Sequence, residues 1–152
     1  MAAATQRMEV TLATALESVD LAESIVTRVA KTAGFDEEEV HKLGIAVREG
    51  VVNAYNYGNQ QDPRKKIHLE IEFEPERMIV HVADEGTGFE LGEVPDPLAE
   101  ENLMRTSGRG LFLMRAFLDE LTVRRGAAGG AELVMSKKLP RNAAGHGRAR
   151  DE

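Results

Sequence analysis

Hydrophobic positions recur along this chain at two periods, and the switches between them mark its elements. Glu9-Val10-Thr11-Leu12 alternates polar with apolar, which predicts a short first strand at a sheet edge. Leu21, Ile25, Val29 and Ala33 then repeat at helical spacing, with Gly34 where a helix C′ residue belongs. Asp36 followed three residues on by Glu39 is an N-cap signal for a second helix, whose apolar stripe is Val40, Leu43, Val47, Val51 and Ala54. The polar stretch Tyr57 to Pro63 ends that helix in a loop. Ile67, Leu69, Ile71 and Phe73 alternate with His68, Glu70 and Glu72, a strand with one buried face. A turn at Glu74 to Arg77 leads into Met78–Ala83, continuously apolar and therefore central in a sheet.

Periodicity is lost from Glu85 to Ser107, where Pro95 and Pro97 forbid regular pairing, so a lid is expected at 85–107. Helical spacing returns at Leu111, Met114, Phe117 and Leu118. Two short apolar runs, Leu121 to Arg124 and Leu133 to Met135, flank the glycine-rich turn Gly126 to Gly130 and close the chain as a hairpin. The order predicts one α/β domain over residues 8–139. It is a two-layer sandwich with helices on one face of a mostly antiparallel sheet, between a disordered N-terminus (1–7) and a disordered polar tail (140–152).

Composition narrows the function classes. At 152 residues and 42% hydrophobic content the chain can fill one two-layer core. No apolar run nears the roughly 20 residues that cross a bilayer, and the start, Met1 to Arg7, carries no secretory h-region. The sequence has no Cys, hence no disulfide frame and no thiolate metal site, in keeping with a cytoplasmic location. Nineteen basic against 26 acidic residues give a net charge of −7, which disfavours direct nucleic-acid binding and favours a protein partner or small ligand.

Three short blocks carry chemistry. Glu49-Gly50-Val51-Val52-Asn53 puts a carboxylate and a carboxamide four residues apart on one helix face, a general base and a magnesium ligand in one projection. Asp84-Glu85-Gly86-Thr87-Gly88 sets an Asp at the end of an apolar strand. A carboxylate there accepts from the exocyclic amine of adenine and opposes the carbonyl of guanine, and the glycines admit a close ligand. Gly108-Arg109-Gly110-Leu111 runs from a turn into a helix, where free N–H groups receive phosphate. Arg105, Thr106 and Ser107 just before it offer a cation and two hydroxyls.

Each block also has an ordinary explanation: an exposed polar helix face, a turn aspartate, a hinge before a helix. Their order, with a long loop between the second and third, is what gives them weight. No P-loop, H-R-D or D-F-G motif is present. His41, His68, His81 and His146 have no metal-ligand spacing and are expected at the surface or in the tail. The Tyr55-Asn56-Tyr57 cluster is expected to pack at the helix end.

The three blocks resemble the N, G1 and G2 boxes of the gyrase, heat-shock-chaperone, histidine-kinase and MutL (GHKL) ATPase superfamily. Ala46 to Ala54 and Gly110 to Met114 are particularly similar to its anti-sigma-factor serine/threonine protein kinases. The resemblance implies a Bergerat ATP-binding fold and a Mg²⁺- and ATP-dependent kinase. Such an enzyme phosphorylates a small anti-anti-sigma antagonist and otherwise holds a sigma factor, as a homodimer. Carried over, Glu49 is the catalytic base and Asn53 the metal ligand. Asp84 is the adenine anchor, with Gly86, Gly88, Gly108 and Gly110 the close-approach backbone. Arg105, Thr106, Ser107, Arg109 and Leu111 complete the ATP-site candidates, Arg105 and Arg109 each having solvent exposure as the ordinary alternative and Arg105 being favoured of the two. Gly50 departs from the many relatives that carry a larger residue after the Glu. A nucleotide-dependent sequestering switch without catalysis, or a detached histidine-kinase ATP domain, are the alternatives.

Overall fold

The computed structural model describes residues 6–86 and 110–140, with side chains from Met114 onward in the second stretch. All of the expected 140–152 tail but Pro140, most of the expected lid, and Gly88, Arg105, Thr106, Ser107, Gly108 and Arg109 lie outside the described residues.

The elements run β1 (Gln6–Ala13), α1 (Glu17–Thr32), α2 (Glu37–Asn53), a π-helical turn (Ala54–Gly58), β2 (Lys66–Phe73), β3 (Arg77–Ala83), α3 (Gly110–Phe117), β4 (Glu120–Arg125) and β5 (Ala131–Lys138). The sheet order is β1-β2-β3-β5-β4, and every pairing among these strands is antiparallel. β1 is an edge and β3 is central, as the alternation of the first and the continuous apolar run of the second imply. β1 starts earlier than expected: Gln6 and Arg7, assigned to the disordered N-terminus from sequence, pair with Phe73 and Glu72. An Arg7 Nε–Glu70 carboxylate contact of 2.6 Å ties that end down.

Local chemistry explains the helix limits. The N–H of Phe35 bonds to Ala30 O and that of Gly34 to Lys31 O, while Gly34 takes φ 104°. This is a Schellman C-cap with Phe35 buried against the core. The Asp36–Glu39 capping box is complete: the Glu39 N–H donates to Asp36 Oδ1 at 2.8 Å and the Asp36 N–H to Glu39 Oε1 at 3.2 Å. Val47, Val51 and Ala46 of α2 join Val26 and Ala30 of α1, Met114 and Leu118, and Ile67, Leu69, Ile71, Val80, Val82 and Met135 in one core cluster.

Two glycines set how closely α2 packs. A Cβ on Gly44 would stand 2.7 Å from Thr27 Cγ2 where α1 and α2 cross. A Cβ on Gly50 would stand 2.9 Å from Leu133 Cδ2 and 3.7 Å from Val82 Cγ2, so α2 rests directly on β5 and β3. The departure noted after Glu49 is thus a close helix–sheet approach.

His81 corrects the sequence reading. It is 7% exposed on the sheet face opposite the core cluster, with Nε2 at 2.7 Å from Glu72 Oε1 and Nδ1 at 3.1 Å from Glu132 Oε2. Glu72 and Glu132, on the strands either side, meet its two ring nitrogens, and Glu132 in turn accepts from Arg124 Nε at 2.8 Å.

Candidate functional site

α2 ends at Asn53, and the chain then widens into a π-helical turn closed by the Asn59 N–H donating to Ala54 O at 2.8 Å. Such turns occur often at functional positions. Gln60 and Gln61 follow with φ 52° and 60°, completing the reversal toward β2. Tyr55 packs against the core while Tyr57 is exposed, so only the first meets the expectation of helix-end packing.

The two residues proposed on this helix sit in unlike surroundings. Burial pushes the Glu49 carboxyl above its usual range, against the pull of neighbouring Arg48. Arg48 itself turns to α1, bonding Asp20 at 2.7 Å and Glu23 at 2.8 Å, which leaves Glu49 without a cationic side-chain partner among the described residues. Asn53 Oδ1 is buried and takes no hydrogen bond among the described residues. A carbonyl acceptor in that state costs about 1–3 kcal/mol unless something fills it. Its chemistry fits a hard cation, which takes neutral carbonyl oxygens readily.

Asp84 leaves the end of β3 and is 6% exposed. Its N–H donates to Ala131 O at 3.0 Å; its Oδ1 accepts from the N–H of Gly86 at 2.9 Å and of Ala131 at 3.2 Å. Oδ2 takes no hydrogen bond among the described residues. Burial raises the Asp84 carboxyl above its ordinary value, with the two backbone N–H groups and Lys65 opposing. Three glycines from three segments make the room: a Cβ on Gly58 would collide with Asp84 Oδ2, one on Gly86 with Gly58 O, and one on Gly130 with Asp84 Oδ1. Only Gly86 was visible as a site residue in the sequence. Gly58 and Gly130 read as loop and turn punctuation, because nothing local reveals that both lie against one carboxylate.

Asn59 was missed altogether. It is fully buried, donating from Nδ2 to Thr14 Oγ1 at 2.8 Å and Lys66 O at 3.0 Å, and accepting at Oδ1 from the Glu85 N–H at 2.7 Å. Glu85 and Gly86, the first two residues of the expected lid, therefore belong to the fixed frame. The structure brings Glu49, Asn53, Asp84 and Gly86 onto adjoining segments. Gly50 lies over Val82, two residues before Asp84, and Gly58 lies on Asp84 itself. Gly110 opens α3, as the third block requires, and the side chain of Leu111 lies outside the description.

A glycine-cradled aspartate at a strand end and a helix that carries a half-buried glutamate and an unbonded amide oxygen share one α/β sandwich of ATPase-domain type. The chain belongs to the histidine kinase-like ATPase domain family, whose model matches residues 12–137, and within it to the serine-protein kinase RsbW and anti-sigma-factor branch.

It is 30% identical to the serine-protein kinase RsbW of Listeria innocua over 81% of each chain. It is 37% identical to the anti-sigma F factor of Clostridium novyi, over 67% of this chain and 73% of that one. The solved RsbU and RsbW domains of Rv1364c from Mycobacterium tuberculosis share the fold at a TM-score of 0.63 and 17% identity. That match takes in 90% of this chain and 33% of the other, so the chain spans a third of that protein.

Proposed function

We propose that this protein is an ATP-dependent serine protein kinase that phosphorylates a small anti-anti-sigma protein and acts as an anti-sigma factor in partner switching. The observation that carries the site assignment is the orphaned Asn53 Oδ1 one helical turn from a glutamate whose carboxyl burial pushes upward. Asn53 would hold Mg²⁺, which supplies charge neutralisation to the phosphates when bound with ATP. Glu49 accepts the proton of the acceptor serine; its upward shift moves it toward the range in which a carboxylate is an effective base.

Asp84 Oδ2, on the side opened by Gly58, takes the adenine amine. Gly86, Gly88, Gly108 and Gly110 would give the backbone close approach, with Arg105, Thr106, Ser107, Arg109 and Leu111 as the further ATP-site residues that the family resemblance and the sequence suggest. The proposed lid then comprises residues 87–107. A homodimer in the cytoplasm, with the sigma factor and the antagonist as protein partners, completes the reading. Among the described residues no helix is long and apolar enough to cross a membrane.

Glu49→Gln tests the enzymatic half. Single-turnover transfer of labelled γ-phosphate to the antagonist should fall by about 10²–10⁴-fold with ATP binding kept. Equal transfer by wild type and variant removes the base role. No transfer by wild type to any candidate antagonist leaves a sequestering switch.

A further inference from the structure

Asp84 is held by more than its own bonds. Asn59 can donate twice and accept twice, and its side chain uses three of these four capacities while fully buried. Its main chain adds two more bonds, the N–H to Ala54 O at 2.8 Å and the carbonyl from the Asp62 N–H at 3.0 Å. One residue thus joins the end of β1 (Thr14), the turn that follows Asn53, the start of β2 (Lys66) and the exit of β3 (Glu85).

Thr14 extends the chain of bonds by donating from Oγ1 to Lys65 O at 2.6 Å. Glu85 is gripped a second time through its carboxylate, which accepts the Lys66 N–H at 3.1 Å and meets His68 Nε2 at 2.6 Å. These partners hold the Glu85 carboxyl below its ordinary range. The residue between Asp84 and Gly86 is therefore fixed to β2, while Asp84 is fixed to Ala131 on the β5 side.

We propose that Asn59, with Thr14 behind it and Glu85 in front, is a positioning element for base selection: it clamps the Asp84-Glu85-Gly86 turn between β2 and β5 and holds it in register with the helix end that bears Asn53. The inference rests on the reading of Asp84 as the adenine anchor. A carboxylate discriminates an amine from a carbonyl only while its oxygen is held to about half an ångström, so loss of the clamp lowers discrimination before it abolishes binding.

The test uses the full chain and calorimetric Kd values for ATP and GTP, with thermal melts alongside. Thr14→Val removes one partner of Asn59 at a conserved side-chain shape. Glu85→Ala removes the second grip from a side chain that is partly exposed, so the fold is retained. Each should weaken ATP by roughly two- to ten-fold, the worth of one hydrogen bond, and leave GTP unchanged. Thr14→Ser should restore the wild-type ratio. Equal weakening of ATP and GTP, or a lowered melting temperature with an unchanged ATP:GTP ratio, overturns the inference and leaves Asn59 a structural residue. Asp84→Asn is measured in parallel. If it lowers the ratio and the two clamp variants do not, the clamp alone fails; if it also leaves the ratio unchanged, the anchor reading fails and the clamp with it.

Discussion

Replacing Asp84 by Asn separates what the carboxylate does for nucleotide from what it costs the fold. For ATP the substitution removes an ionised acceptor; a hydrogen bond to a charged group contributes about 1.5–3 kcal/mol, so Kd should rise roughly 10- to 150-fold. GTP should lose less or gain, because a carboxamide can turn an N–H toward the guanine carbonyl.

Stability should move the other way. The Asp84 carboxyl is raised above its ordinary value, burial being the first cause, so its surroundings favour the neutral form even after the Gly86 and Ala131 N–H groups are counted. An acid whose pKa is higher folded than unfolded binds its proton more tightly in the native state. Its charge therefore costs nothing below the unfolded pKa of about 3.9, and the full cost is present above the folded one. Asp84→Asn carries no such charge. Its stability relative to wild type should grow as pH rises from about 4 to 8. Urea denaturation at both ends of that range, with calorimetry of ATP and GTP, measures both effects. Unchanged ATP affinity, or a stability difference that does not widen with pH, would refute the reasoning.

Asn53→Ala should lower affinity for Mg-ATP much more than for ATP in EDTA. It should raise the melting temperature, since it removes an unpartnered buried carbonyl and adds a better helix former; equal losses with and without metal would leave Asn53 structural. Gly58→Ala places a methyl against the Asp84 carboxylate, 2.8 Å from Asp84 Cβ. ATP affinity should fall at least as far as in Asp84→Asn, at about 1–3 kcal/mol in stability, and wild-type affinity would mean that the carboxylate is not fixed from this side. Gly44→Ala, whose Cβ meets Thr27 Cγ2 at 2.7 Å, should cost about 1–3 kcal/mol by denaturant titration without changing nucleotide affinity. A loss of nucleotide binding there would show that the α1–α2 crossing sets the position of Glu49 and Asn53.

Most of the fold was legible because its signals are local. Capping residues, the Gly34 turn and the alternation along β2 act within a few positions of where they are read. The pair Glu49 and Asn53 was legible for the same reason, since helical spacing puts both on one face. Gly58, Asn59 and Gly130 were not, because each acts through a partner that only the sheet register supplies. A polar Asn after a Gly reads as loop, and no sequence rule distinguishes one that bonds the residue after β1, the start of β2 and the exit of β3 at once. His81 escaped similarly: its cover consists of Glu72 and Glu132, set beside it by the β2–β3 and β3–β5 registers. The early end of α2 was hidden because Ala54 continues the apolar stripe and stays buried while the backbone has already left α geometry.

The groups proposed to work on ATP are the ones the folded chain holds at a cost. Glu49 and Asp84 are carboxylates that burial makes harder to ionise, and Asn53 carries an acceptor with no donor among the described residues. Structural carboxylates nearby behave oppositely: Glu85, bonded to His68 and Lys66, and Asp62, bonded to Arg64, lie below their ordinary range, Asp62 at about 2. The contrast has a physical reason. A group already satisfied by the protein has little left to offer a ligand, whereas one left short gains when an amine, a cation or a proton arrives. Such shortfalls persist only where neighbouring segments prevent their relief by rotation. Here Gly58, Gly86 and Gly130 wall in the Asp84 carboxylate, and Asn59 fixes the turn beyond it. The rigidity around Asp84 and the lack of any hydrogen bond to its Oδ2 among the described residues are two sides of one arrangement, and under the proposed function nucleotide binding would relieve it.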